Sequence, residues 1–454
     1  MIKTLIKNGT IVNANGRARL DVLVEGGRIA ELGQNLASNG ANVIDAKGCY
    51  VFPGFIDTHT HFDLDTGSAI TADNFITGTK AAALGGTTAV LDFATQDRDG
   101  SLQKALEQWH EKARGSSCNY GFHMAVARWD ESVRHEMTAM SEQGVTSYKV
   151  YMVYDALRVD DGQIFQALQE ATRQGAMVGA HCENWDVLLQ MINEVKAGGI
   201  TCPAGHPLSR PAEVEAEAVN RFLRIAQLAH APAYVVHLST AEGLKEARRA
   251  RERGQKIFLE TCPQYLLLTD QRYQDEDGAK YIMSPPLRKD ADNSALWQGL
   301  QGGDIDTIGT DHCSFTMAQK AIGKDDFSKI PNGAPGVQHR SQLLYTYGVC
   351  EGRISLERMV ALLSANAASI FGMPDRGEIA PGKVADLLVW DPIYTGCITS
   401  ANQAHNCDNS PYDGLAVQGR ARDVLVNGEL VVQSGEFAKA SQGKYIHRSR
   451  CAID

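Results

Sequence analysis

From residue 51 onward, short apolar runs alternate with stretches whose apolar residues recur every three or four positions. The runs at 51–57, 88–91, 120–126, 146–151, 177–180, 234–236, 257–259 and 307–309 predict eight strands. Helical periodicity at 73–84, 101–114, 131–143, 162–174, 213–229 and 241–253 falls between them, with more after 338. That alternation predicts an α/β chain wound as a (β/α)8 TIM-like barrel, enlarged by insertions. A doubly wound open sheet competes with it, but no Gly-x-Gly-x-x-Gly follows the first strand.

The two ends read differently. Residues 2–52 are short alternating strands punctuated by Asn8-Gly9, Asn15-Gly16 and Gly26-Gly27, which is hairpin chemistry. The same style returns at 375–434, where a strand pattern runs into Asn427-Gly428. The expectation is a small β-sandwich domain assembled from 1–52 and 375–454 around a barrel of 53–374.

Composition narrows the partners. Among 454 residues, 44 basic and 54 acidic side chains leave a net charge of −10. That balance predicts neither a nucleic-acid nor a membrane partner, because both need a basic footprint. No apolar run approaches the ~18 residues of a membrane span. The first residues meet charge and turn signals too early for a signal peptide, so the expected location is cytoplasmic. The ten cysteines include no Cys-x-x-Cys pair and read as reduced, mostly buried thiols.

The chemistry-bearing residues cluster where strands finish. The first strand runs into Asp57-Thr58-His59-Thr60-His61, and positions i and i+2 of a strand share a side, so both imidazoles can grip one ion. Two strand-end histidines bonded to backbone carbonyls would give the same pattern. Repetition favours the metal: later apolar runs end at His181, His237 and Asp311, whereas His110, His135, His230 and His405 are scattered. Lys149 stands inside the apolar strand Ser147–Tyr151, where a charged amine is costly to bury unless it snorkels out. Cys182, Cys262 and Cys313 beside these positions read as packing residues, and His312 as support for Asp311.

His59, His61, Lys149, His181, His237 and Asp311, in that order, resemble the amidohydrolase superfamily. Thr261-Cys262-Pro263-Gln264-Tyr265, Ser284-Pro285-Pro286-Leu287-Arg288, Pro331-Asn332-Gly333 and Pro381-Gly382-Lys383 are similar to its dihydropyrimidinase and D-hydantoinase branch. The resemblance spans nearly the whole chain. It implies two divalent metal ions, zinc above all, bound by His59, His61 and Asp311 on one side and His181 and His237 on the other. A carbamate, formed from carbon dioxide on Lys149, would bridge them. It further implies that a metal-bridging hydroxide opens a small cyclic ureide to an N-carbamoyl amino acid. Asp311 would shuttle the proton, Tyr154 would donate to the oxyanion, and the backbone at Ser284 and Asn332 would pair with the ring. A homotetramer is the implied assembly.

The match loosens in two loops. Where relatives often carry Met-Pro after the histidines, this chain reads Phe62-Asp63-Leu64-Asp65-Thr66, and Arg158 stands at a commonly aromatic position. With Leu64 and Tyr151, Arg158 is a candidate for shaping the substituent pocket, favouring a polar or acidic group unless it points to solvent. Phe62 and Asp63 replace the arginine that usually marks dihydroorotases, and the Glu-Pro-Gly of allantoinases is missing. Non-catalytic scaffold relatives have lost ligands that this chain retains.

Overall fold

The apolar run near residue 51 breaks at Gly54 into two strands, Tyr50–Pro53 and Phe55–Thr60. A side chain at 54 would collide with Thr88, so glycine lets the chain pass from one domain layer to the next at close quarters. In the computed structural model, which describes residues 3–440 and 443–451, Phe55–Thr60 is the first of eight barrel strands. We label them β1 (Phe55–Thr60), β2 (Thr87–Thr95), β3 (Asn119–Ala125), β4 (Ser147–Tyr151), β5 (Met177–His181), β6 (Ala233–Val235), β7 (Ile257–Thr261) and β8 (Thr307–Ile308). They pair in parallel and in sequence order. Just beyond β8, a parallel bridge between His312 and Thr60 brings the last strand back to the first.

Alternation along each strand sorts the side chains. On β4, Tyr148 and Val150 pack outward beneath the helices, while Ser147 and Lys149 line the barrel interior with Met177, Tyr234 and Val236. Helices Phe75–Leu84, Leu102–Lys112, Glu131–Glu142, Asp161–Gln174, Ala212–Leu228 and Ala241–Glu252 lie where periodicity places them, within two residues at each end. Two further helices, Trp185–Ala197 and Asp290–Gly302, have no counterpart in the sequence reading. In the first, Trp185, Leu188, Ile192 and Val195 recur at helical spacing on the inward face, but only Leu188 is fully buried, while Val187 and Leu189 are exposed. The second opens Asp-Ala-Asp-Asn-Ser, with few strong helix formers, and gains its stability from buried Leu296, Trp297 and Leu300.

The chain ends form two sheets. Four strands from residues 3–45 make one; the other orders strands 436–437, 429–433, 416–426, 387–397, 50–53, 10–13 and 16–19 across both termini. Ile6, Val22, Val24 and Ile29 of the first sheet meet Val51, Leu387, Val389 and Leu425 of the second in one apolar layer. Two stretches assigned by sequence to the β domain do other work. Asn406 and Asn409 reach the end of the barrel where the strands finish, bonding Asp73 and Phe315. Residues 443–451 close its floor, where Tyr445 pairs with Tyr120 and the buried Arg448 donates to Ser147 Oγ and the Phe122 carbonyl. Residues 1–2, 441–442 and 452–454 of that predicted domain lie outside the described residues.

Candidate metal centre

The residues singled out at the strand ends converge. His59, His237 and Asp311 present ligand atoms all within 4.8 Å of one another. Asp311 Oδ1 lies 3.1 Å from His59 Nε2 and 3.2 Å from His61 Nε2. Lys149 Nζ sits 2.9 Å from His59 Nε2, beneath the rings of Phe93 and Tyr151 at 4.2 and 4.9 Å. The His181 ring centroid is 4.5 Å from that of His237. A register irregularity between Asp57 and Thr60 accompanies the convergence of both β1 histidines on Asp311.

Backbone strain is concentrated here. His237, Asp311 and Tyr154 have φ of 35°, 52° and 69°, in the left-handed region that non-glycine residues rarely enter. Each costs about 1–3 kcal/mol and persists because the surrounding bonds over-determine it. At Asp311, Thr310 supplies that hold: its backbone N–H and hydroxyl both donate to buried Asp57.

The donor set fits divalent metal. Four imidazoles and a carboxylate, all drawn inward, are the borderline nitrogen and oxygen donors zinc accepts. Nδ1 of His61 and Nδ1 of His237 are buried without a hydrogen-bond partner, an arrangement costly unless a ligand satisfies the site. Burial lowers His61 to about 4 and also lowers His181 and His237, so these rings are neutral, the form that binds metal. Burial works against ionisation of Asp311, but His59, His61 and His237 outweigh it and hold the carboxyl well below its usual range.

Two carboxylates that the sequence reading missed orient these rings. Glu260 Oε1 accepts from His59 Nδ1 at 2.6 Å and from the His237 backbone at 3.1 Å; Oε2 accepts from Thr58 and Tyr234. Glu183 Oε2 holds His181 Nε2 at 2.7 Å and is itself held by Arg210 at 2.6 Å. The signal for Glu260 was present: it follows Ile257-Phe258-Leu259 directly, a charge at the end of an apolar run as Asp311 is at its own. Glu260→Gln is expected to lower metal affinity by about 10- to 100-fold, read by chelator competition, because the carboxylate fixes both the tautomer and the angle of His59.

The remaining candidates surround the centre. Tyr154 packs 5.5 Å from the His181 ring, and burial pushes its phenol up to about 12, so it stays a donor. Ser284 Oγ donates to Asn332 Oδ1 at 2.8 Å, joining the two segments expected to pair with the ring. Tyr151 is buried, its ring stacked on that of His181 at 6.1 Å, and Leu64 is half-buried in a loop tied by Thr71. Arg158 meets Asp186 at 3.1 Å and Asp155 at 3.5 Å near the surface, lining a cleft of about 390 Å³. Cys182, Cys262 and Cys313 are buried beside His181, Thr261 and His312, and His312 donates to Asp73 while its Nδ1 accepts from Gly336 and Val337.

Comparison with known proteins places this centre among relatives. The profile of the amidohydrolase family matches residues 50–431. D-hydantoinase of Geobacillus stearothermophilus is 42% identical over 98% of this chain and 96% of its own. D-phenylhydantoinase of an Escherichia coli strain is 43% identical over 98% of both chains. The crystal structure of dihydropyrimidinase from Brevibacillus agri superposes with a TM-score of 0.98 at 41% identity, covering the whole of both chains.

Proposed function

The chain belongs to the amidohydrolase family, and from that membership we propose that it opens dihydropyrimidines or 5-substituted hydantoins hydrolytically to N-carbamoyl amino acids. The observation that carries the reading is the convergence of His59, His237 and Asp311, with His61 and Lys149 in contact, on one end of a barrel shared with hydantoinases. Neither the allantoinase nor the dihydroorotase alternative, nor a non-catalytic scaffold, finds support in the comparisons.

His59, His61 and Asp311 would hold one divalent ion and His181 and His237 the other, with zinc the best match to the donors. When bound, such a pair acidifies water and polarises the scissile carbonyl. Lys149 is suited to carbamate formation: burial lowers its amine to about 8, so a useful fraction is neutral near physiological pH. The amine lone pair attacks carbon dioxide, one proton leaves, and the product is an anion with two ligand oxygens in place of a buried cation. Tyr154 donates to the oxygen on which charge develops. Asp311 takes the proton of the attacking water and delivers it to the ring nitrogen as the C–N bond breaks. The backbone at Ser284 and Asn332 pairs with the ring, and Tyr151 and Leu64 border its substituent.

The test is direct. Purified protein reconstituted with zinc and bicarbonate should retain metal and open dihydrouracil or hydantoin; if it opens neither ring, the reading fails. Arg158→Ala should leave the order of preference among methyl-, phenyl- and carboxyalkyl-hydantoins unchanged, since its guanidinium already faces Asp155 and Asp186. A loss confined to the carboxyalkyl substrate would return Arg158 to the pocket. A homotetramer and a cytoplasmic location complete the proposal; sedimentation of the native enzyme tests the first.

A further inference from the structure

One buried cation is used by none of these steps. Lys320 ends the short helix Met317–Lys320 and is 1% exposed. Its ammonium donates to the carbonyls of Ile282, Pro331 and Gly333, each at 2.7 Å. Three N–H groups thus meet three acceptors, and the Phe315 ring lies 5.6 Å away. Burial lowers the Lys320 amine to about 7, and the three carbonyl acceptors, one for each N–H, favour the ammonium form against that burial.

The choice of carbonyls gives the cage its meaning. Ile282 lies two residues before Ser284, while Pro331 and Gly333 flank Asn332. Ile282 O also accepts from Gly333 N at 2.9 Å, and Ser284 Oγ bonds Asn332. Gly333 has a φ of 143°, and a side chain there would strike the Cys313 carbonyl, so this loop is pressed against the strand end that carries Asp311. The Pro331 carbonyl belongs to the same peptide unit as the Asn332 N–H. A cation on that oxygen polarises the amide and strengthens its N–H as a donor.

We propose that Lys320 is the positioning residue of the ring-binding backbone, clamping the Ser284 and Asn332 segments at the spacing a cyclic imide requires. This rests on the ring-opening reading. Lys320 reaches the substrate only through the peptide units it holds, so its loss weakens substrate binding while the metal ligands stay in place.

The experiment compares zinc-loaded wild type, Lys320→Met and Lys320→Gln on dihydrouracil, with metal content and thermal midpoint measured in parallel. Methionine keeps the length and removes every donor; glutamine keeps two and guards against failure of the methionine variant to fold. Loss of charge-assisted bonds is expected to raise KM about 10- to 100-fold in Lys320→Met and less in Lys320→Gln. The turnover number should stay within about threefold, with metal content unchanged. An unchanged KM, or a fall in kcat that tracks lost metal or lost folded protein, overturns the proposal. Wild type that opens no ring overturns the underlying reading, and this inference with it, before any variant is compared.

Discussion

Replacing Lys149 with methionine is expected to cut ring opening by at least about 10³-fold at saturating zinc, because the step that needs an activated water loses its activation. The substitution removes the nitrogen that lies over Phe93 and Tyr151 and leaves an unbranched apolar chain, with sulfur in place of one methylene, in the buried strand. The barrel should therefore fold: methionine is close in volume and lacks the charge that β4 must otherwise accommodate. What disappears is the group able to become a carbamate 2.9 Å from His59. Isotopically labelled bicarbonate should give a carbamate carbonyl resonance in wild type and none in Lys149→Met. Full activity in the variant, or a wild-type enzyme indifferent to removal of carbon dioxide during zinc loading, would refute the carbamate.

The same lysine shows how far sequence reaches. A charge within Tyr148-Lys149-Val150-Tyr151 conflicts with every local rule for a buried strand, and such conflicts gather at functional sites. His59, His61, His181, His237 and Asp311 were legible for a related reason: each ends an apolar run, and parallel barrels place strand ends on one face. Glu260 carried the same mark as Asp311, yet a lone carboxylate has no period or spacing to join it to distant His59; only the fold brings them to 2.6 Å. Arg158 was open to two readings from sequence, pocket or solvent, because its ion pairs with Asp155 and with Asp186, 28 residues away, appear only in the fold. The positive φ of His237 and Asp311 was equally hidden: aspartate and histidine enter the left-handed region more readily than most residues, but that tolerance marks no particular position. The Trp185–Ala197 helix escaped although Trp185, Leu188, Ile192 and Val195 recur at helical spacing, because apolar Val187 and Leu189 on its exposed side blur that face.

Asp311→Asn should lower kcat by about 10²- to 10⁴-fold while leaving KM nearly unchanged, the range in which a positioned proton carrier acts. The two side chains are almost isosteric. Asparagine can keep an oxygen facing His59 and His61, where the carboxylate now lies at 3.1 and 3.2 Å, so the left-handed backbone held through Thr310 and Asp57 should survive. What the amide cannot do is receive the water's proton and pass it on. Opening the ring forms one C–O bond and breaks one C–N bond, and the departing nitrogen must be protonated as it leaves. Without Asp311 that proton must come from solvent, across a site whose four histidines are buried. Weakened metal binding would also reduce turnover, so the measurement is made at saturating zinc with metal content determined in the same samples. If Asp311→Asn with full metal turned over at the wild-type rate, the proton route would have to be assigned elsewhere. If its loss vanished as zinc was raised, Asp311 would be a ligand alone.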